Sequence, residues 1–175
     1  MPTLFMALAQ LCEKLEGVKK RTSMISLVSD FLRGLKPDEL EPAVSMILGR
    51  ALPKYSEQTL EVSWATLSEI IRRITGVKWK VFTDAFSKTG DIGTATKIVF
   101  EISGVKRQLS LFERVLTIKD VRKSFEAIAD AVGPGSREKK ERLLEALLSS
   151  ASPLEAKYLV KIIIGEMRTG FHEGL

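Results

Sequence analysis

Asparagine is absent from this 175-residue chain, and glutamine is scarce beside abundant Glu, Lys and Arg. That bias is the one reported for thermophilic proteins, and it predicts a thermophilic source. One cysteine, Cys12, excludes an internal disulfide, and its place on an apolar helical stripe marks it as a small core residue. One histidine, His172, cannot build a metal site with a single cysteine far away in sequence, and no motif supplies a nucleophile beside a base. The pattern Gly-x-x-x-x-Gly-Lys-Ser/Thr is missing and no strand precedes either glycine-bracketed turn, which argues against nucleotide binding in the P-loop manner. No catalytic residue and no metal ligand is therefore assigned. No stretch approaches the length of a membrane span and the N-terminus lacks a signal-peptide pattern, so a cytosolic chain with no membrane partner is expected.

Strand signals are nearly absent as well. Helical periodicity and capping residues recur from end to end, which predicts an all-α, compact multi-helix domain. With 45% hydrophobic content the chain can bury one good core, and residues 1–175 read as a single domain. Residues 3–16 show an apolar face through Leu4, Ala7, Leu8, Leu11 and Leu15, with Gly17 as a stop. Thr22 or Ser23 can cap a helix running to Arg33, which Gly34 closes. Pro37, followed by Asp38 and Glu39, opens the next helix, which ends at Gly49. Another is expected from about Leu60 to Thr75. Thr117 with Asp120 resembles an N-cap arrangement, and Ser152-Pro153-Leu154-Glu155 carries a serine cap, a proline at the first helical position and a glutamate that completes a capping box. Residues 103–117 lack clean periodicity and read as the longest irregular connection.

What is present twice is an apolar helical run, a glycine-bracketed turn and a new helix with lysine at one fixed offset. The first copy runs through Phe86 to Gly90-Asp91-Ile92-Gly93, then Thr94-Ala95-Thr96-Lys97. The second runs through Phe125 to Gly133-Pro134-Gly135-Ser136, then Arg137-Glu138-Lys139-Lys140. A helix N-terminus presents unpaired N–H groups and a partial positive charge. Glycines let a phosphate approach that backbone, and a lysine further along adds a full charge. Two such turns on one domain could hold two points of a polyanionic strand. The ordinary alternative is a pair of helix C-caps with no ligand. Asp91 would repel a phosphate if it faced one, so it is expected to cap the following helix and point inward.

The formal net charge of +5 is moderate, and cations alternate with carboxylates as on any solvated helical surface, so only local clusters carry information. Lys19-Lys20-Arg21-Thr22 precedes a helix start and could supply a third phosphate contact, although a solvated charge run explains it equally well. Arg168, in Met167-Arg168-Thr169-Gly170, could enter a groove or pair with Glu166 or Glu173. The sparse aromatics fall on apolar helix faces, so Trp64 and Trp79 read as packing residues. Without exposed aromatics near the cations, stacking on a single strand is disfavoured, and phosphate contact with a duplex fits better.

The same residues carry a family likeness. Leu8-Ala9-Gln10-Leu11 through Lys20-Arg21-Thr22, the Gly49-Arg50-Ala51-Leu52-Pro53 helix end, Gly90-Asp91-Ile92-Gly93, Ser110-Leu111-Phe112 before Leu116-Thr117, and the run from Gly133-Pro134-Gly135-Ser136 through Ala151-Ser152-Pro153-Leu154-Glu155-Ala156-Lys157-Tyr158 to Arg168-Thr169-Gly170 together resemble the N-terminal DNA-binding domain of ATP-dependent DNA ligases, the archaeal branch above all. The likeness spans essentially the whole chain in order. It implies a helical domain that encircles nicked duplex DNA together with nucleotidyltransferase and OB domains of the same parent chain, as in DNA replication and repair. It also implies ATP and Mg in the parent enzyme, at a Lys-x-Asp-Gly motif that would follow in sequence and is absent here; no cofactor is expected in this fragment. Thr169 departs from the pattern, standing where related sequences often carry an aliphatic residue.

The residues singled out for DNA contact are Lys20, Arg21, Gly90, Asp91, Ile92, Gly93, Thr94, Lys97, Gly133, Gly135, Ser136, Arg137, Lys139, Lys140, Arg168, Thr169 and Gly170. Binding is expected to be independent of base sequence. A helical protein-interaction scaffold, or an accessory lobe of another DNA-repair enzyme, is the alternative. A sliding-clamp partner rests only on Gln108-Leu109-Ser110-Leu111-Phe112, which lacks the usual second aromatic and is better explained as an ordinary loop.

Overall fold

A computed structural model describes residues 1–104 and 115–175; Gln108–Phe112, the clamp-like stretch, lies outside the described residues, as does most of the expected irregular connection. Nine helices are present among the described residues: α1 (Phe5–Glu16), α2 (Arg21–Arg33), α3 (Pro37–Ile47), α4 (Trp64–Thr75), α5 (Trp79–Thr89), α6 (Ile92–Ser103), α7 (Ile118–Asp130), α8 (Ser136–Ser149) and α9 (Pro153–Ile164). The only extended pairing described is an isolated antiparallel bridge between Leu4 and Thr117. The all-α class read from the sequence is what the chain adopts.

The caps follow from side-chain chemistry. Ser63, Asp91, Thr117 and Ser152 each accept a backbone N–H from the first turn of the helix they precede, and Asp120 and Glu155 reciprocate in capping boxes. Two boundaries differ from expectation. α2 begins at Arg21 with no side-chain cap, so neither Thr22 nor Ser23 serves as one. α4 begins at Trp64 rather than near Leu60, because residues up to Val62 form an irregular connection pinned elsewhere.

Helix α9 is the centre of the molecule. Every residue from Glu155 to Ile162 is buried, as expected for a helix walled in on all sides. It packs chiefly on α6 and α1, and Leu8, Leu15, Phe125 and Tyr158 are among the largest wholly buried side chains. Cys12 is likewise fully buried, and Trp64 and Phe82 pack with ring centroids 5.4 Å apart. Trp79 stacks on Phe82 at 5.7 Å, has the Arg72 guanidinium 5.7 Å from its ring centroid, and stays 45% exposed.

Helix directions alternate strictly. α1 and α9 run parallel, since Glu13 meets Lys157 while Glu16 meets Lys161. α6 opposes α9: Asp91 bonds Lys161 near the α9 C-terminus, whereas Phe100 lines a cavity with Ser152 and Pro153 at its N-terminus. Ile74 and Leu148 line that same cavity, so α4, α6 and α8 all finish there. α7 starts beside α1 through the Leu4–Thr117 bridge, and α3 starts there through Glu39, which accepts the Thr3 N–H. Arg21, at the start of α2, bonds Gly174 beyond the α9 C-terminus. The odd-numbered helices therefore finish, and the even-numbered ones begin, at one end of the bundle.

Candidate nucleic-acid interface

That end gathers both glycine turns. At the first, Gly90 closes α5 in the left-handed region at φ 66° and leaves the surface open. Asp91 turns inward as expected: Oδ2 accepts from the Thr94 hydroxyl at 2.6 Å, from the Thr94 N–H at 3.3 Å and from Lys161 Nζ at 3.3 Å. Burial pushes the Asp91 carboxyl up, but the Thr94 bond and the Lys161 charge outweigh it and hold it below the usual aspartate range. Lys161, only 2% exposed, also bonds Glu16 at 2.6 Å. The Glu16–Lys161–Asp91 chain thus fixes the α6 N-terminus against α1 and α9, and the Asp91 carboxylate both faces the protein and takes the Thr94 amide of the first turn.

Arg168 completes this corner. Its Nη1 donates to the Gly90 carbonyl at 2.7 Å, while the side chain stays 58% exposed and lies 3.6 Å from Glu166. Its φ of 52° is left-handed, an uncommon conformation for a residue with a Cβ, and such outliers concentrate at working sites. Thr169 is buried, and its hydroxyl accepts the Phe171 N–H at 3.2 Å, which gives the buried oxygen a partner. Gly170 lies so close to α2 that a Cβ would meet Met24 Cε at 3.0 Å.

At the second turn Gly133 and Gly135 are left-handed, at φ 85° and 77°, and both face open space. No side chain caps α8, so its first amides are covered by nothing comparable to Asp91. Arg137 is 81% exposed, with Glu141 at 3.5 Å, and Lys139 is exposed. Lys20 and Arg21 head the uncapped α2, with Arg21 donating to the Gly174 carbonyl at 3.0 Å.

Three expected contacts take other roles. Lys140 is 12% exposed, and its Nζ donates to the Leu60 carbonyl at 2.9 Å with Glu61 at 3.9 Å; it anchors the α3–α4 connection instead of facing outward. Lys97 lies along the flank of α6, 3.9 Å from Glu101 and within the field of Glu13. Gly93 is buried, and a Cβ there would fall 2.5 Å from Lys161 Cγ and Cδ. Its bareness serves the close approach of α6 to α9 rather than that of a ligand. Ile92 and Thr94 remain on the α6 first turn, with Thr94 engaged by Asp91.

Sequence reasoning passed over the buried lysines Lys157 and Lys161 and the surface group of Arg50, Lys54 and Glu173. Lys157 and Lys161 carry a usable signal, since cations four residues apart inside an apolar helical run demand buried partners. For the ATP and Mg that the resemblance brings in, the residues do not fit: the sequence has no Lys-x-Asp-Gly, and the described residues hold no group of three His, Cys, Asp or Glu able to bind a metal ion. No described helix is long and apolar enough to cross a membrane.

The chain is 39% identical over 173 residues to DNA ligase 1 of Korarchaeum cryptofilum, covering 98% of this chain and 30% of that protein. It is 34% identical over 170 residues to a DNA ligase of Methanoculleus marisnigri, and 33% identical over 172 residues to one of Methanothermobacter thermautotrophicus, at 97% and 98% of this chain and 30% of each relative. The chain thus spans about 30% of the length of the relatives it matches. The profile of the family described as DNA ligase N terminus matches residues 4–175, and this chain, basic and all-helical with its glycine turns gathered at one end, belongs to that family.

Proposed function

We propose that this chain is the duplex-binding domain of an ATP-dependent DNA ligase, and that it holds the phosphate backbone at a nick with the end of the bundle where α2, α4, α6 and α8 begin. The observation that carries the reading is this convergence of even-numbered helix starts. Each adds partial positive charge to one surface, and the two starts without a side-chain cap, those of α2 and α8, add first-turn amides as well; the same surface bears Lys20, Arg21, Arg137, Lys139 and Arg168. Arg168 and the α6 first turn act together, because the guanidinium is tethered to the Gly90 carbonyl. Gly133 and Gly135 leave the α8 amides open to a second phosphate.

Contacts of this kind fix position on a duplex without reading bases, so binding is independent of sequence. The chemical step belongs to the nucleotidyltransferase and OB domains of the parent chain, with ATP and Mg bound there. The test is a titration of short nicked duplex against single strand of equal length at several salt concentrations. Preference for duplex, with affinity falling steeply as salt rises, supports the reading. Equal binding to both, or none, leaves the alternative of a helical protein-interaction scaffold.

A further inference from the structure

The tail beyond α9 lies across the same end of the bundle. Glu173 accepts hydrogen bonds from Arg50 and from Lys54, the latter at 3.3 Å, and the next residue, Gly174, gives its carbonyl to Arg21 at 3.0 Å. Arg50 follows the end of α3 and Lys54 stands four residues on, both in the connection that Lys140 pins through Leu60. Two cations converging on one carboxylate make the environment that a phosphate oxygen takes, with the planar guanidinium suited to either. They also hold the Glu173 carboxyl below its ordinary value. All three side chains are solvent-exposed in part, Lys54 at 72%, and ion pairs of that exposure are weak and exchangeable.

We propose that Arg50 and Lys54 form an additional backbone-phosphate site on this domain and that Glu173 occupies it as a phosphate stand-in until duplex DNA displaces the carboxylate. The inference rests on the duplex-binding reading and extends it to two residues that the glycine turns do not include. Glu173 is then a built-in competitor: it lowers affinity for DNA, and the cations it holds become phosphate contacts on binding.

The experiment is a salt-dependent titration of the 175-residue chain with nicked duplex, comparing the unaltered protein, Glu173→Gln, Arg50→Gln with Lys54→Gln, the triple variant, and Glu57→Gln as a control for net charge on the same exposed connection. Expected is an affinity gain of about two- to fivefold for Glu173→Gln at low salt, the scale of an exposed ion pair, and a smaller gain for Glu57→Gln. The gain vanishes in the triple variant, and removing Arg50 and Lys54 lowers the log–log salt slope by about 0.9 for each cation. Weaker or unchanged binding by Glu173→Gln, a gain equalled by Glu57→Gln, or a gain that survives in the triple variant overturns the inference. Arg168→Gln separates the two levels of failure. If it weakens duplex binding while the tail variants do nothing, only the added site is lost; if the unaltered chain ignores duplex, the parent reading falls too.

Discussion

Arg168 and Gly90 are seventy-eight positions apart in sequence, yet the guanidinium of one donates to the carbonyl of the other at 2.7 Å. That bond ties the segment after α9 to the turn between α5 and α6. It holds the exposed guanidinium beside the N-terminus of α6, which Asp91 caps. A left-handed φ of 52° at Arg168 is what aims the side chain there. The backbone conformation therefore gives a first test.

Arg168→Gly removes the guanidinium but suits the left-handed backbone, which disfavours residues with a Cβ by about 1–2 kcal/mol. Expected is a fold with unfolding free energy close to that of the unaltered chain and a clear loss of duplex affinity. Urea unfolding and a duplex titration on the same preparation check both halves. A large drop in stability would make Arg168 a structural residue instead.

Gly93→Ala places a methyl 2.5 Å from the Lys161 side chain and 3.0 Å from the Lys157 carbonyl. Lys161 is held by Glu16 and Asp91, so it cannot swing away without breaking the buried chain. Overpacking of this kind costs about 1–3 kcal/mol, to be read as a lowered urea midpoint. An unchanged midpoint would mean that α6 and α9 are less closely held than described.

Lys161→Met leaves Asp91 without its lysine partner, while Glu16 keeps Lys157 at 2.9 Å. Removing one partner of a buried pair costs about 3–5 kcal/mol, and the partial exposure of the two carboxylates puts this case near the lower figure. The acid limb of stability reports the same network. Asp91 and Glu13 titrate below their ordinary values in the fold, for burial raises each carboxyl but Lys161 and Thr94, or Lys157 and Tyr158, more than reverse it. The stability they contribute is complete above the unfolded carboxylate range and is lost as pH falls through their depressed folded values. Unfolding midpoints measured down to low pH should therefore decline, and Asp91→Ser should make that decline shallower.

Lys140→Ala should lower stability by about 1–3 kcal/mol through loss of a charged hydrogen bond to the Leu60 carbonyl, with little change in the salt slope of duplex binding. Thermal unfolding and the slope separate this from a phosphate contact. A slope reduced by about one would return Lys140 to the interface.

Cys12 is wholly buried, and burial together with the Glu16 charge pushes its thiol up to about 12. Alkylation should therefore follow global unfolding, and its rate in folded protein should rise with added denaturant. Fast modification of native protein would place the thiol nearer the surface.

Much of the architecture was legible in the residues themselves. Ser63, Asp91, Thr117 and Ser152 mark helix starts by local chemistry, so the helical class and several boundaries follow from sequence alone. Asp91 pointing inward was foreseeable as a helix N-cap, whereas its buried partner Lys161 was not. Nor was the direction of Lys97 and Lys140. Both stand seven residues past a glycine, about two helical turns, which returns each to a similar azimuth on its own helix. Azimuth on a helix does not say what stands opposite, and here the neighbours are Glu101 and the Leu60 carbonyl. The Arg50–Glu173 pairing joins residues far apart in the chain, and no local pattern encodes it.

The convergence of helix starts is tested most directly by the salt slope for nicked duplex in two charge-matched variants. One carries Arg137→Gln, Lys139→Gln and Arg168→Gln at the end where the even-numbered helices begin. The other carries Lys36→Gln, Lys78→Gln and Lys80→Gln, exposed cations at the opposite end beside the starts of α3 and α5. The first should lose about 0.9 in log–log slope per cation that meets a phosphate, and the second should keep the slope of the unaltered chain. Equal losses in the two variants, or a loss confined to the second, would contradict a duplex held at the glycine-turn end.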